Sequence, residues 1–378
     1  MLLIWVACAI TIGYQLTALA ASLRQYLRRP PRPASTPGLS VLKPVHGLDP
    51  DFEEALYSHF EQDYPQFEIL FAAHDPADPA LRIVRKVAAN YPQVAVRILT
   101  GDAPAANGKV GLLIDAARHA RYRVLLVNDA DIIAPPGYFR TVTAPLADPS
   151  VALVTCLYRA RAASAPGKWE ALGIAVDFAP GVLVAPWVGV REFGLGATLA
   201  FRAADLAAIG GFESIADFLA DDYQLAKRLS ALGGRIVLST TVVETSINDS
   251  SWSKMWSHQV RWARTIRVSR GGGYAGLPVT HSGLWALAAI LTGAWSLALA
   301  VLLVRILAGL AAGWLVLRSP IALRAWPFIP VWDLWAFAVW IAGLFGRTVE
   351  WRGRSLCLDA EGRITSSTPS SPSVRQPL

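Results

Sequence analysis

Apolar and polar positions divide the chain into three parts. Residues 1–23 carry no charged side chain, and a bilayer core takes about 20 apolar residues as a helix. Between 39 and 245 the pattern changes to short β-rich runs alternating with segments of helical periodicity. The runs are 40–42, 68–73, 94–99, 124–127, 151–157 and 235–243; the helical segments are 52–60, 80–90, 110–120 and 223–232. This alternation predicts an α/β fold with a mostly parallel sheet covered on both faces. Such sheets bind ligands beyond the carboxyl ends of their strands.

The last third is apolar again. Residues 284–304 are long enough to span, 306–317 are short but carry Gly309 and Gly313 at close-packing spacing, and 331–345 form a third candidate. Arg305 interrupts the first two, which predicts a hairpin or a snorkelling arginine. Two crossings are expected here, with one candidate lying in the interface. After Ile364 the chain is rich in Ser and Pro and reads as disordered.

Composition sharpens this picture. The chain has 378 residues, 53% of them hydrophobic, and a net charge of +7, with a mean hydropathy of +0.37. A basic chain can serve nucleic acid. Here the arginines flank the apolar stretches (24, 28, 29 and 32, then 347, 352 and 354), which favours a membrane face over nucleic acid. They follow the first apolar run instead of preceding it, as a signal anchor and not a cleaved leader would have them. The positive-inside rule then puts the region after Arg24 in the cytosol. Three scattered cysteines, Cys8, Cys156 and Cys357, suggest neither a disulfide framework nor a zinc site. The expected organisation is an anchor at 1–23, a basic Pro-rich linker at 24–38, a cytosolic domain at 39–270, a transmembrane region at 283–346 and a basic, then disordered tail at 347–378. The whole is expected in an inner membrane.

The candidate chemistry follows the strands. Asp75 closes the run 68–73 and could accept from a ribose or a base edge, or serve simply as a turn residue. Asp129 and Asp131 end the run 124–127. Two carboxylates so close repel unless a cation sits between them, and Mg²⁺ or Mn²⁺ with oxygen ligands fits. Lys109 opens a helix, where a cation opposes the dipole unless an anion is present, so it is a candidate phosphate contact or an ordinary surface lysine. Asp221 and Asp222 open another helix; adjacent carboxylates raise each other's pKa, which suits a general base, although acidic residues also belong in a first turn. Trp252, Trp256 and Lys254 fit an amphipathic helix on the membrane surface, which accounts less well for the segment His258-Gln259-Val260-Arg261-Trp262. An apolar stretch at 169–186 either belongs to the core or presents a lipid at the membrane surface.

Taken in order, these residues resemble the family 2-type and ceramide-glucosyltransferase-like family 21 glycosyltransferases over about 40–267. The carrying stretches are Leu42-Lys43-Pro44-Val45-His46-Gly47, Phe60-Glu61-Gln62-Asp63-Tyr64-Pro65, His74-Asp75-Pro76, Asn128-Asp129-Ala130-Asp131, Asp221-Asp222-Tyr223 and Arg261-Trp262. The segment from His258 to Arg264 is also similar to bacterial hopanoid-associated glycosyltransferases. The resemblance implies a GT-A fold, a UDP-sugar donor, a divalent metal (Mg or Mn), inversion at the anomeric carbon and a membrane lipid acceptor. It makes Asp222 the base with Asp221 supporting it, and gives Asp129 and Asp131 the metal. Lys43, Asp75, Lys109, Asp129, His258, Gln259, Arg261 and Trp262 go to the donor. The chain departs from the pattern at His258, where Gln or Arg is usual, with Gln259 one position later. A processive polysaccharide synthase would need more crossings for its channel. A non-catalytic nucleotide-sugar-binding or transport protein could dispense with Asp222. Glucose or N-acetylglucosamine, and ceramide or a hopanoid polyol, remain open as sugar and acceptor.

Overall fold

The computed structural model describes residues 2–31, 35–49, 51–247, 251–351 and 353–369. Arg32 and Arg352 of the basic clusters, and 370–378 of the tail, lie outside the described residues.

A seven-stranded sheet forms the centre, in the order β3-β2-β1-β4-β6-β5-β7. Its strands are β1 (Leu39–Pro44), β2 (Phe67–Ala73), β3 (Ala95–Thr100), β4 (Val124–Val127), β5 (Val151–Arg161), β6 (Leu199–Arg202) and β7 (Arg235–Ser246). Only β6 runs against its neighbours, so the sheet is mostly parallel, as expected. β6 is absent from the pattern-based reading because Leu199, Ala200 and Phe201 are all buried and show no alternation. One apolar layer packs Phe52–Phe60, Pro79–Ala88 and Tyr138–Thr143 on one face. The other packs Gly108–His119 and Asp221–Ala231. The parallel register aligns Leu42 with Val127, so Lys43 stands beside Asn128 just past the end of β4.

The helix Leu2–Leu27 runs past the predicted end at 23 and takes Arg24 into its last turn. Its pattern is inverted relative to a soluble helix. Cys8, Thr11, Gln15, Ala18 and Ser22 are buried, while Leu2, Leu3, Trp5, Val6, Ile10 and Leu16 are exposed. Small and polar residues inward with large apolar ones outward is what a lipid solvent selects. Thr11 Oγ1 donates to Val279 O at 2.6 Å, and Gln15 Nε2 donates to Thr280 O at 3.0 Å.

Four helices among the described residues are long and apolar enough to cross a membrane: Leu2–Leu27, Ala165–Val188, Trp295–Val316 and Trp326–Leu344; a bent pair, Gly271–Thr280 and Ser282–Leu291, could make a fifth. Two expectations change. The candidate 284–304 is broken at Thr292 and Gly293, and the helix that begins at Trp295 continues through Arg305. Arg305 does not snorkel. It is 1% exposed and grips Asp333 through Nε at 3.0 Å and Nη2 at 2.7 Å. Pairing replaces solvation, so the helix need not break.

The other change concerns the C-terminus. The stretch read as disordered after Ile364 opens with a strand: β8 (Thr348–Trp351), β9 (Arg354–Leu358) and β10 (Ile364–Pro369) form an antiparallel sheet. Val349, Leu356, Leu358 and Ile364 bury their side chains with Leu219. Four apolar residues spread over sixteen positions give a weak sequence signal, and the core forms only with Leu219 and Val268 from distant parts of the chain.

Candidate functional site

The polar residues gather where the strand ends point. Asn107 caps the helix Gly108–His119, its side chain accepting from the amides of Lys109 and Val110. This fixes Lys109 in the first turn. Its Nζ lies 2.8 Å from Asp129 Oδ1 and 3.2 Å from Asp221 Oδ2. The anions that a first-turn lysine calls for are thus two carboxylates of the chain itself. Burial works against the Lys109 charge, but Asp129 and Asp221 outweigh it and drive the ammonium pKa upward.

Asp222 follows in the same helix as Asp221. Its Oδ2 accepts from the Gly196 amide at 2.9 Å and its Oδ1 from the Tyr223 amide at 2.7 Å. Burial, then the charge of Asp221, push its carboxyl up to about 6 against the pull of Lys109. Gly196 lies just before β6 and has no side chain for a reason. A Cβ there would stand 3.2 Å from Asp129 Oδ2, 3.5 Å from Asp222 Oδ2 and 3.7 Å from Lys109 Nζ. One small space is therefore bordered by the proposed base, the proposed metal ligand and a cation.

Asp131 takes a hydrogen bond from the Thr245 hydroxyl on β7. Burial and the neighbouring Asp129 raise its carboxyl to about 6. No group of three or more His, Cys, Asp or Glu side chains among the described residues could hold a metal ion alone. The donor set is nevertheless hard, anionic and self-repelling, which suits a Mg²⁺ or Mn²⁺ whose other ligands are phosphate oxygens and water. The residues fit such an ion.

Lys43 is fully buried. Its Nζ donates to Asn128 Oδ1 at 3.1 Å and to the Asp129 carbonyl at 3.0 Å. Asn128 Nδ2 in turn donates to His59 Nε2 at 2.7 Å, and His59 Nδ1 to Ala55 O at 2.8 Å. Burial lowers the Lys43 pKa to about 7, with Asp131 and Asp129 opposing the drop. The side chain lies behind the Asp129 loop, where it shapes that loop from beneath.

Asp75 is exposed beyond β2, and its Oδ1 accepts from the Ala77 amide at 2.8 Å. This is the turn geometry, with one oxygen left toward solvent. His258, Arg261 and Trp262 share one face of the helix Trp252–Ser269. His258 Nδ1 lies 2.6 Å from Glu170 Oε1, and its ring is 4.8 Å from that of Trp262. Arg261 has no hydrogen-bonding side-chain partner among the described residues; burial, offset by Glu170, lowers its guanidinium to about 10. Gln259 points elsewhere: it is buried and accepts from Trp335 Nε1 at 2.6 Å, tying this helix to Trp326–Leu344, which is long and apolar enough to cross a membrane. The structure therefore brings together Lys43, Lys109, Asp129, Asp131, Asp221 and Asp222, sets His258, Arg261 and Trp262 on a neighbouring helix, and turns Gln259 away.

Gly196, Thr245, Asn128, His59 and Glu170 escape a reading of the sequence. Asn128 alone gives a signal, since it directly precedes Asp129. The others join the site from 26 to 114 positions away from their partners.

Comparison with known proteins adds the remaining observations. The sequence profile described as Glycosyl transferase family 21 matches residues 3–364. The chain is 31% identical over 207 residues to ceramide glucosyltransferase 1 of Caenorhabditis elegans, covering 54% of this chain and 44% of that protein. It is 25% identical over 251 residues to ceramide glucosyltransferase 3 of the same organism, covering 62% and 52%. The chain thus spans about half the length of these curated relatives. Among solved structures it is similar to the mannosyltransferase PcManGT of Pyrobaculum calidifontis in complex with GDP-Man and Mn²⁺, with a TM-score of 0.54, 22% identity, and coverage of 89% of this chain and 97% of that one. At that identity the likeness speaks for the fold, which is GT-A.

Proposed function

The chain belongs to glycosyl transferase family 21, and we propose that it transfers a hexose, glucose or N-acetylglucosamine, from a UDP-sugar to a hydroxyl of a membrane lipid, with inversion at the anomeric carbon. The observation that carries this reading is the space over Gly196, bordered by Asp222 Oδ2, Asp129 Oδ2 and Lys109 Nζ. A base, a phosphate-side carboxylate and a cation converge there, and four helices long and apolar enough to cross a membrane support a lipid acceptor.

The reaction exchanges one bond at the anomeric carbon. The acceptor oxygen attacks from the face opposite the diphosphate, its proton passes to Asp222, and the bond to the phosphate oxygen breaks. General base help of this kind is typically worth about 10²–10⁴-fold. A carboxyl near 6 is ionised at neutral pH yet basic enough to take the proton. Asp129 and Asp131 would hold the divalent ion, which when bound offsets the charge growing on the diphosphate. Lys109 and Arg261 supply fixed positive charge on that side. Asp221 holds Lys109 in place, and Lys43 with Asn128 fixes the Asp129 backbone. Asp75, exposed past β2, is available to the nucleoside. His258 and Trp262 would flank the sugar side, with His258 anchored by Glu170. The cytosolic orientation rests on the arginines at 24, 28 and 29.

The test uses membranes carrying the full chain, labelled UDP-glucose or UDP-N-acetylglucosamine, Mg²⁺ or Mn²⁺, and ceramide or bacteriohopanetetrol. Labelled lipid from one pair, lost on chelation and in Asp222→Asn, is the expected result. Labelled polymer in place of lipid, or undiminished transfer by Asp222→Asn, would overturn the reading.

A further inference from the structure

The helix Ala165–Val188 carries an aspartate, Asp177, at its middle. It joins the sheet to the membrane helices, with Leu172, Ala175, Val176 and Ala179 packed among Leu157 of β5, Ala312, Ile329 and Trp332. At Ile174–Phe178 its hydrogen bonding widens to a π turn, a local irregularity that often marks a functional site. Asp177 sits in that turn.

Asp177 makes no ion pair among the described residues. Its one described partner is Trp332 Nε1, which donates to Oδ2 at 3.1 Å. Trp332 can reach it because Gly173, one turn earlier on the same face, has no Cβ; a methyl there would collide with the indole. The nearby cation is already committed. Arg305 binds both oxygens of Asp333 and donates to Val176 O at 2.9 Å. Asp333 also accepts from the Gly283 amide at 2.8 Å. Arg305 and Asp333 pair with each other, so Asp177, half-buried in this apolar helix, has no ionic partner of its own among the described residues. Ionisable groups within apolar helices of this kind are costly, and those that persist face a binding site or pathway.

Two further polar atoms nearby lack partners. His281 is 3% exposed and Gln15 is 2% exposed, yet His281 Nδ1 and Gln15 Oε1 have no hydrogen-bond partner among the described residues. The charges that act on His281 are those of Asp177, Asp333 and Arg305, and the same three act on Tyr14, which precedes Gln15. Buried polar atoms without partners await a ligand or water.

This polar island also adjoins the catalytic carboxylates. The ring of Phe178, next to Asp177, lies 5.2 Å from that of Tyr158 and 6.2 Å from that of Trp262. Tyr158 in turn is close enough to Asp222, Asp129 and Asp131 to feel their charges.

We propose that Asp177, in the π turn beneath the Asp222 site, is the head-group anchor of the acceptor, accepting a hydrogen bond from a hydroxyl or amide N–H of an uncharged lipid while His281 and Gln15 complete the polar pocket. The assignment rests on the lipid-transfer reading above. A carboxylate suits such a lipid because it accepts strongly from neutral donors and repels anionic head groups.

The test compares wild-type full-length protein with Asp177→Asn and Asp177→Ala in detergent–lipid micelles. Ceramide and bacteriohopanetetrol are separate arms, each also used as a diazirine-bearing photoprobe whose cross-links are mapped by mass spectrometry. The expected result is a KM for the lipid raised roughly 10- to 100-fold, the range for losing a charge-assisted hydrogen bond, with donor affinity unchanged. Wild-type cross-links should fall within 173–178 or around 281 and fade in Asp177→Ala. An unchanged lipid KM, or cross-links confined to other helices, overturns the anchor. Wild-type cross-links at 173–178 without any sugar transfer would uphold the anchor and overturn the transfer reading. Thermal unfolding and donor binding identify a variant that has merely misfolded, and Trp332→Phe then serves as the second probe. Removing the indole N–H leaves the carboxylate in place and frees an oxygen, so the lipid KM should move without loss of donor binding; if neither Trp332→Phe nor the cross-link map moves, the anchor is rejected.

Discussion

The backbone amide of Gly196 donates a 2.9 Å hydrogen bond to Oδ2 of Asp222, so the carboxylate proposed as base is oriented by a residue that precedes a strand it never touches in sequence. The same glycine leaves open the space toward Asp129. Gly196→Ala would put a methyl 3.2 Å from Asp129 Oδ2. Its backbone conformation is open to any residue, since Gly196 is not among the glycines with positive φ. The expected outcome is a fall in kcat of about tenfold or more, with thermal stability near that of wild type, because small misplacements at a reacting centre are costly. Steady-state kinetics beside a melting curve checks it; unaltered kcat would show that the space is not used.

The pH profile follows from Asp222. Its carboxyl, raised to about 6 by burial and by Asp221, must be ionised to take a proton. Activity should therefore fall as pH drops through about 6. Lys109 holds that value down. Lys109→Met removes a positive charge that favours the carboxylate, so in the residual activity the acid limb should move to higher pH. A limb that stays put, or moves lower, would separate Lys109 from the base.

Arg305 and Asp333 form a buried pair in which each partner makes the other tolerable. Arg305→Leu or Asp333→Leu alone leaves an unpaired charge, which typically costs about 3–5 kcal/mol. The double variant Arg305→Leu with Asp333→Leu should recover most of that loss. Thermal unfolding of the three in one detergent measures the coupling, and additive losses would contradict it.

The C-terminal sheet is tied to the loop that precedes the two aspartates. The Ile364 amide donates to Asp217 O at 2.7 Å, Leu219 to Gly362 O at 3.3 Å, and Asn107 Nδ2 to Phe218 O at 2.8 Å. One edge of that loop is thus held by the tail and the other by the residue that caps the Lys109 helix. Deleting 347–378 should lower kcat sharply while the protein stays in the membrane, whereas deleting 370–378 alone should change little. Full activity without 347–378 would show that the clamp is dispensable.

Much of this protein could be read from residue order alone. Period-two and period-3.6 patterns place six of the seven strands of the central sheet and its main helices, since each of those elements buries one continuous local stretch. The aspartates that end β4 and open the helix Asp221–Ala231 are visible for the same reason, because chemistry at a strand end or helix start is written in consecutive residues. The tertiary structure decided what depends on distant partners. The resemblance gives Lys43 to the donor; the register that sets Leu42 against Val127 also puts its amine on Asn128. Arg305 reads as a break because nothing within its own helix neutralises it; Asp333, 28 positions on, does. Gln259 and His258 are adjacent in sequence yet serve a membrane helix and Glu170 respectively, because a helix turns neighbours about 100° apart. Gly196 and Leu219 carry no local signal at all, for a glycine's missing side chain and a leucine's shared core acquire meaning only from what folds against them.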